Sequence, residues 1–291
     1  MNSDQIPFES QDFQRQISSD QANDYNYDSY VNVVLTSKQG FNLNTGIRLN
    51  HHSHYKTHFV YSINPFYRLN FKNQYLKFMA SYGTAFISPS LYQLFAPNFG
   101  NSNLDPQQDA TLEMSIEFGE ANQLEWVTTL YKRFQTNYID YVISNPATYT
   151  GNYQNVSGDT SVQGVETRFK YFGTQHLSFE FNYAFTESKS RQLFRIPKHK
   201  INANADYEFL KSFKATIGYQ YSGKRTSTQQ LDSEPITLKS YGLFNVGLSC
   251  DIVKNGVIFA KITNVFNEPF EEFFRYSTLG RNYVFGANFK F

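Results

Sequence analysis

Between His176 and Ser188 the chain reads HLSFEFNYAFTES. From Leu177 onward every second residue is a ring or an aliphatic group: Leu177, Phe179, Phe181, Tyr183 and Phe185. Between them stand Ser178, Glu180, Asn182, Ala184 and Thr186. A strand sends successive side chains to opposite faces, so this stretch is a ribbon with one greasy side and one hydrophilic side. TLEMSIEF (111–118), INANADYEF (201–209), FKATIGYQY (213–221) and YVFGANFKF (283–291) carry the same pattern. The period is two throughout, and no segment sustains a 3.6-residue stripe. The expected fold is all-β, and the question is which medium accepts the greasy face.

Composition narrows the answer. Hydrophobic residues are only 40% of 291, yet the chain holds 29 Phe and 22 Tyr against one Trp. So many rings in a polar chain must be concentrated on one surface. A net charge of +1 argues against nucleic acid as a partner, which calls for a basic stripe. No run approaches the roughly 18 apolar residues of a spanning helix. The single cysteine, Cys250, excludes an internal disulfide. MNSDQIPFES at the start has neither the cationic region nor the apolar region of a secretory signal.

About thirteen strands are expected by alternation, near 27–37, 40–52, 55–71, 74–84, 108–118, 123–143, 151–172, 176–188, 198–209, 212–224, 238–252, 256–266 and 281–291. Many exceed the usual globular length of about five or six residues. The links between them alternate. Short ones fall at Lys38-Gln39, Lys72-Asn73, Gly119–Asn122, Gly173–Gln175, Leu210-Lys211 and Val253–Asn255. Long polar ones fall at 85–107, 144–160, 189–197, 225–237 and 267–280, with the brief 51–56 link as the exception. Outer-membrane barrels have short periplasmic turns and long extracellular loops. The greasy face is therefore assigned to lipid. Glu113, Glu117, Glu166, Arg168, Lys170, Glu180, Asp206 and Lys214 are assigned to a wet interior. A large soluble β-sandwich is the competing architecture. Residues 1–26 read as a polar extracellular loop or disordered lead-in, and 27–291 as barrel.

Four stretches carry more than alternation. SYGTAFISPSLYQLFAPNFGNSNLDPQQDATLEMSIEF (81–118) matches a pattern of the form G-x-A-F-R-A-P-S-L-x-E-L, then G-N-P-N-L-x-P-E, then a strand. Gly83, Phe86, Pro89, Ser90, Leu91, Leu94, Gly100, Asn101, Asn103, Leu104 and Pro106 agree with it; Ile87 and Gln107 replace the usual Arg and Glu. FQTNYIDYVIS (134–144), YQNVSGDTSVQGVETRFKY (153–171) and KITNVFNEPFEEFFRYSTLGRNYVFGANFKF (261–291) follow in order. Together they resemble the C-terminal part of TonB-dependent outer-membrane receptors. YQYSGKR and the last hairpin look most like the cobalamin (vitamin B12) transporters, though siderophore receptors share most of it.

The resemblance implies uptake of a scarce nutrient, cobalamin or a ferric siderophore, through the cell outer membrane of a Gram-negative bacterium. It implies a 22-strand barrel, a plug that couples to the TonB complex, and no cofactor. No plug is visible in the sequence. With an odd strand count, that points to about 13 C-terminal strands not competent for transport alone. Loop 86–107 supplies the ligand-contact candidates Tyr92, Phe95, Asn98 and Phe99, since sites in barrel mouths combine rings with a few aimed polar groups. The alternative is that these residues pack the loop on itself. Gly286, Phe289 and Phe291 resemble the terminal signal read by the barrel assembly machinery. HHSHYKTH brings His51, His52, His54 and His58 close in sequence but lacks a defined ligand geometry; it reads as a solvated hairpin, and no metal is assigned. No nucleophile elbow occurs, and no catalytic residue is assigned. A smaller porin-like diffusion channel and, more remotely, an outer-membrane enzyme remain as other function classes.

Overall fold

The computed structural model describes residues 23–145, 148, 150–156, 158–174, 176–190, 192–210, 212–227 and 235–290. Most of the 1–26 lead-in, and Phe291, lie outside them. The strands are β1 (Asn26–Thr36), β2 (Phe41–His52), β3 (Lys56–Asn70), β4 (Gln74–Ile87), β5 (Gln107–Glu120), β6 (Leu124–Thr136), β7 (Ile139–Asn145), β8 (Thr150–Asn155), β9 (Thr160–Thr174), β10 (Leu177–Glu187), β11 (His199–Phe209), β12 (Phe213–Ser222), β13 (Arg225–Ser227), β14 (Ile236–Leu238), β15 (Tyr241–Val253), β16 (Gly256–Thr263) and β17 (Asn282–Phe289). One five-residue helix, α1 (Leu91–Phe95), lies between β4 and β5.

Thirteen strands form one antiparallel sheet in the order β1-β2-β3-β4-β5-β6-β9-β10-β11-β12-β15-β16-β17. Among the described residues, β1 and β17 each pair on one side only. The sheet is thus a barrel wall with two open edges. Two expected strands divide. The stretch at 123–143 breaks after Thr136, where Asn137 turns left-handed at φ 55°, and its end becomes β7. The stretch at 151–172 starts instead as β8. Together β7 and β8 make a separate hairpin, Ile139 opposite Asn155, which leaves the wall where Gln135 pairs with Thr160. A smaller hairpin, β13–β14, rises from the 225–237 link.

The pattern of exposure is inverted relative to a globule. In β5, Leu112, Met114 and Ile116 are 38%, 56% and 52% exposed. Glu113, Ser115 and Glu117 between them are less exposed. Trp126, Leu130, Ile217 and Phe285 face outward similarly, at 52%, 54%, 55% and 76%. A curved wall produces this inequality, since side chains crowd on the concave face and spread on the convex one. The buried apolar residues Leu94, Ala96, Leu104, Leu238, Tyr241 and Leu243 gather at the long-loop end.

Several charges of the inner face stand as cross-strand pairs. Arg48 meets Asp28 at 2.7 Å, Lys77 meets Glu117 at 3.8 Å, Lys170 meets Glu180 at 3.9 Å, Lys214 meets Asp206 at 3.1 Å, and Arg168 meets Glu125. Half-solvated pairs of this kind contribute about 0–1 kcal/mol each, so they order the inner face more than they hold the wall together. The ladder does the holding, and it needs close approach. At Gly164 an added Cβ would lie 2.1 Å from the Phe185 carbonyl oxygen and 2.6 Å from the Tyr131 hydroxyl. The Tyr131 ring comes from the register partner of Gly164 and covers the gap.

An arginine at Met114 is expected to lower folding stability in lipid vesicles by about 2–4 kcal/mol, as for charge placed on the lipid face near the midplane. Glu113→Gln, one residue away on the other face, should stay within about 0.5 kcal/mol. Denaturant titration in vesicles measures both.

Candidate functional site

The long-loop end is built on the β4–β5 connection. Pro89 is fully buried there, and Ser90 caps α1. The Gln93 amide donates to Ser90 Oγ at 3.2 Å, and the Ser90 amide donates to Gln93 Oε1 at 2.9 Å, a reciprocal capping box. The helix stops at once because Pro97 holds Ala96 extended, at φ −55° and ψ 131°. Asn98 follows in a left-handed conformation, φ 65°. At Gly100 a Cβ would meet the Ala96 amide nitrogen and the Leu94 carbonyl oxygen at 2.7 Å, so the return of the chain needs glycine. Leu94, Ala96 and Leu104 form the loop's small core.

The β7–β8 hairpin docks against this loop. The Tyr153 amide donates to the Phe99 carbonyl at 3.0 Å, and Asn101 Nδ2 donates to the Tyr153 carbonyl at 2.9 Å. Asn155 is the second clamp: its Nδ2 donates to the carbonyls of Asp105 and Asn137, and its Oδ1 accepts from the Asp105 amide. The Tyr55 hydroxyl, from the β2–β3 turn, donates to the Leu104 carbonyl at 3.0 Å. Burial, and then the nearby Asp105 and Asp24 carboxylates, push the Tyr55 phenol above its ordinary value.

These tethers assemble four rings. Tyr92 meets Tyr153 edge-on at 6.1 Å, Tyr153 meets Tyr141 at 5.5 Å, and Tyr141 meets Phe99 at 6.0 Å. Of the expected contact residues, the structure brings Tyr92 and Phe99 into one cluster. Both keep outward surface, 60% and 38%. Phe95 is half-buried on α1, and Asn98 is exposed beside the cluster. Tyr141, Tyr153 and Tyr55 were not singled out from sequence. The capping pattern Ser90-Leu91-Tyr92-Gln93 was legible there, but the hairpin's partnership with the loop had no local signal. Ile87 and Gln107, the two departures from the motif, face each other in register. Gln107 donates instead to Asp109 at 2.8 Å.

A second group of loops packs around Arg225, which is 6% exposed. Its guanidinium donates to the Glu271 carbonyl and lies 5.1 Å from the Tyr241 ring. Tyr241 stacks obliquely on Phe270 at 4.6 Å. The four histidines form no common site: His51 hydrogen-bonds Thr57, His52 meets Asp24 at 3.5 Å with the His54 ring 6.1 Å away, the ring of His54 bonds the Asn23 carbonyl, and His58 stacks on Phe86 at 3.6 Å. Among the described residues no three His, Cys, Asp or Glu side chains are grouped to hold a metal ion. At the other end of the chain, Gly286 faces inward under the Phe259 ring, 2.5 Å from where its Cβ would be, and Phe289 lies over Gly256 in the same manner.

A family model described as TonB dependent receptor-like, beta-barrel, matches residues 2–265. The Vitamin B12 transporter BtuB of Vibrio cholerae serotype O1 is 34% identical over 217 residues, which are 73% of this chain and 34% of that protein. The chain thus matches about a third of that relative's length. Among solved structures, the siderophore receptor PirA from Acinetobacter baumannii superposes with a TM-score of 0.78 at 16% identity, over 92% of this chain and 46% of that one. The copper transporter OprC gives 0.75 at 15% identity, over 92% and 48%. At these identities the structural likeness concerns the fold.

Replacing Asn155 by Ala removes three backbone tethers and is expected to raise protease sensitivity of the 88–106 loop about tenfold (about 1.4 kcal/mol of local opening), with the wall's unfolding unchanged. Tyr55→Phe should act in the same direction more weakly. Because the Tyr55 phenol is raised, its tether holds below about pH 10 and is lost as pH climbs through the folded-state value. Limited proteolysis across pH reads both.

Proposed function

This chain belongs to the TonB-dependent receptor β-barrel family, and from that premise we propose that it is the C-terminal barrel wall of an outer-membrane importer. The observation that carries the reading is the inverted face pattern. A long antiparallel wall shows its aliphatic and aromatic residues outward and its paired charges inward. Water would not leave such a convex face exposed, whereas acyl chains match it. The long loops then stand at the extracellular end and the short turns at the periplasmic end.

The ligand class follows from kinship and from the mouth. The relative at 34% identity carries the name vitamin B12 transporter, which favours cobalamin; a ferric siderophore is the other candidate. Tyr92, Phe99, Phe95 and Asn98 offer aromatic edges and one amide to a bulky ligand arriving from outside, with Tyr141 and Tyr153 behind them. In the full receptor, the matched third and the two unpaired edges of the wall fit a division of labour. The remaining strands close the barrel, and a plug couples it to the TonB complex. An unpaired edge inside lipid costs several kcal/mol for each orphan backbone group, so the wall alone does not transport. Gly286, Phe289 and Phe291 serve as the terminal strand signal for the barrel assembly machinery.

The polar inner face would also suit a porin-like diffusion channel, and energy dependence separates the two. Uptake of labelled cobalamin by cells relying on the full-length receptor is expected to saturate and to stop when the proton gradient is collapsed. Tyr92→Ala and Phe99→Ala should each weaken cobalamin binding about tenfold (about 1.4 kcal/mol). Non-saturating entry indifferent to the gradient would sustain the channel. Tight binding of a ferric siderophore with no cobalamin binding would reassign the ligand.

A further inference from the structure

The turn between β2 and β3 sets a buried titratable side chain beside the mouth. His52, the last residue of β2, is 2% exposed. Both of its ring nitrogens are engaged. The His54 amide donates to Nδ1 at 3.2 Å, and Nε2 lies 3.5 Å from the Asp24 carboxylate. An N–H can donate only to a ring nitrogen that carries no proton, so these contacts assign the neutral ring with its hydrogen on Nε2. A second proton has one place to go, Nδ1. There it would face the very N–H that Nδ1 now accepts.

The other three histidines escape this conflict. His54 and His58 each turn Nε2 toward a backbone carbonyl, those of Asn23 and Tyr55. A carbonyl needs a donor, so both rings carry hydrogen on Nε2 and can charge at Nδ1 without losing that bond. His51 meets the Thr57 hydroxyl through Nδ1, and a hydroxyl accepts as readily as it donates. Of the four, His52 alone loses a backbone hydrogen bond on charging.

That bond fixes the residue before Tyr55. The Tyr55 ring lies 5.0 Å from that of His52, and its hydroxyl donates to the Leu104 carbonyl at 3.0 Å. Leu104, 2% exposed, belongs to the small core of the 88–106 loop. The titratable and charged neighbours of His52 are Asp24 on the lead into β1, His54 and Tyr55 on its own turn, and Lys56, its register partner on β3. Asp105 acts on Tyr55 from the loop. Asp24 would gain from an imidazolium, and Lys56 would oppose one. At 3.5 Å, with the Asp24 side chain 30% exposed, that gain is the small one of a half-solvated pair. A buried donor set against another donor loses its bond outright.

We propose that His52 is a pH-sensitive latch on the mouth: a proton taken up on Nδ1 expels the His54 amide, releases the Tyr55 tether and loosens the 88–106 loop. The neutral ring keeps the latch closed near pH 8, and it opens toward pH 5, the span over which imidazoles charge. That the loosened loop is a ligand mouth rests on the function proposed above.

The full-length receptor is reconstituted in phosphatidylcholine vesicles with a nitroxide on Ser102→Cys, an exposed position of the loop. Cys250→Ser removes the only native thiol of this chain. Between about pH 8 and about pH 5 the ratio of mobile to immobile label is expected to rise about fivefold, the effect of one net hydrogen bond. In His52→Asn, whose Oδ1 can accept the His54 amide at every pH, the ratio should hold its starting value. In Tyr55→Phe it should be high throughout and indifferent to acid, and His54→Gln should keep the response. A wild-type loop that does not respond, a rise that persists in His52→Asn, or a rise lost in His54→Gln overturns the proposal. The label needs no ligand, so each of these results leaves the mouth assignment standing. A responding loop in a receptor whose ligand binding ignores Tyr92 and Phe99 removes that assignment and keeps the latch.

Discussion

The backbone ladder is the constraint from which the rest of this molecule follows. In hydrocarbon an unpaired amide or carbonyl costs several kcal/mol and water is not at hand to relieve it. A spanning wall of strands must therefore pair each strand with its neighbour along its length, and the thirteen strands do so in uninterrupted sequence order apart from the two outward hairpins. Once the ladder is fixed, side chains contribute by fitting their face. The convex face needs only to be apolar, which explains why Ile116, Leu130 and Phe285 carry no specific packing role. The concave face needs polarity, to which the Lys77–Glu117 and Lys170–Glu180 pairs contribute.

A wall held by its ladder can let its loops specialise. The mouth has its own small core of buried loop residues, Leu94, Ala96 and Leu104, in addition to the buried strand residues Leu238, Tyr241 and Leu243. The β7–β8 hairpin extends this arrangement by presenting Tyr153 to the Phe99–Asn101 backbone. Asn155 then ties three separate carbonyl and amide groups with one side chain. The rings Tyr92, Phe99, Tyr141 and Tyr153 are thereby fixed at their bases while Tyr92 and Phe99 keep exposed surface. A ligand meeting this surface would find it largely preorganised, and less ordering entropy would remain to oppose binding.

How much of this was legible in the sequence depends on how local its cause is. Alternation is read within ten residues, so strands such as β5, β10 and β11 appear nearly where TLEMSIEF, HLSFEFNYAF and INANADYEF place them. Short turns are equally local. The division of 123–143 was hidden because Ile139, Tyr141 and Ile143 continue the period of two into a different sheet, and the break rests on a single residue, Asn137, in a left-handed turn. The mouth was half legible. Motif residues named Tyr92 and Phe99, but their partners Tyr141 and Tyr153 lie about fifty residues away, where no local pattern announces the contact.

Pro65 shows how the ladder can tolerate an exception. A proline in a central strand removes a donor, and the paired register of β3 with β4 lapses at Asn64 and Pro65 while β2 and β3 stay in register past it, Leu43 opposite Pro65. The missing donor therefore faces β4. On the polar side of the same gap, the Ser81 hydroxyl donates to Asn64 Oδ1 at 2.7 Å, a side-chain bridge between the same two strands where the backbone offers none. On the apolar side the lapse coincides with Ala80, so the wall is thin in side chains where it is also short of a hydrogen bond. One defect in the ladder accordingly has two faces: it is bridged by polar side chains toward the interior, and it forms a recess toward the lipid.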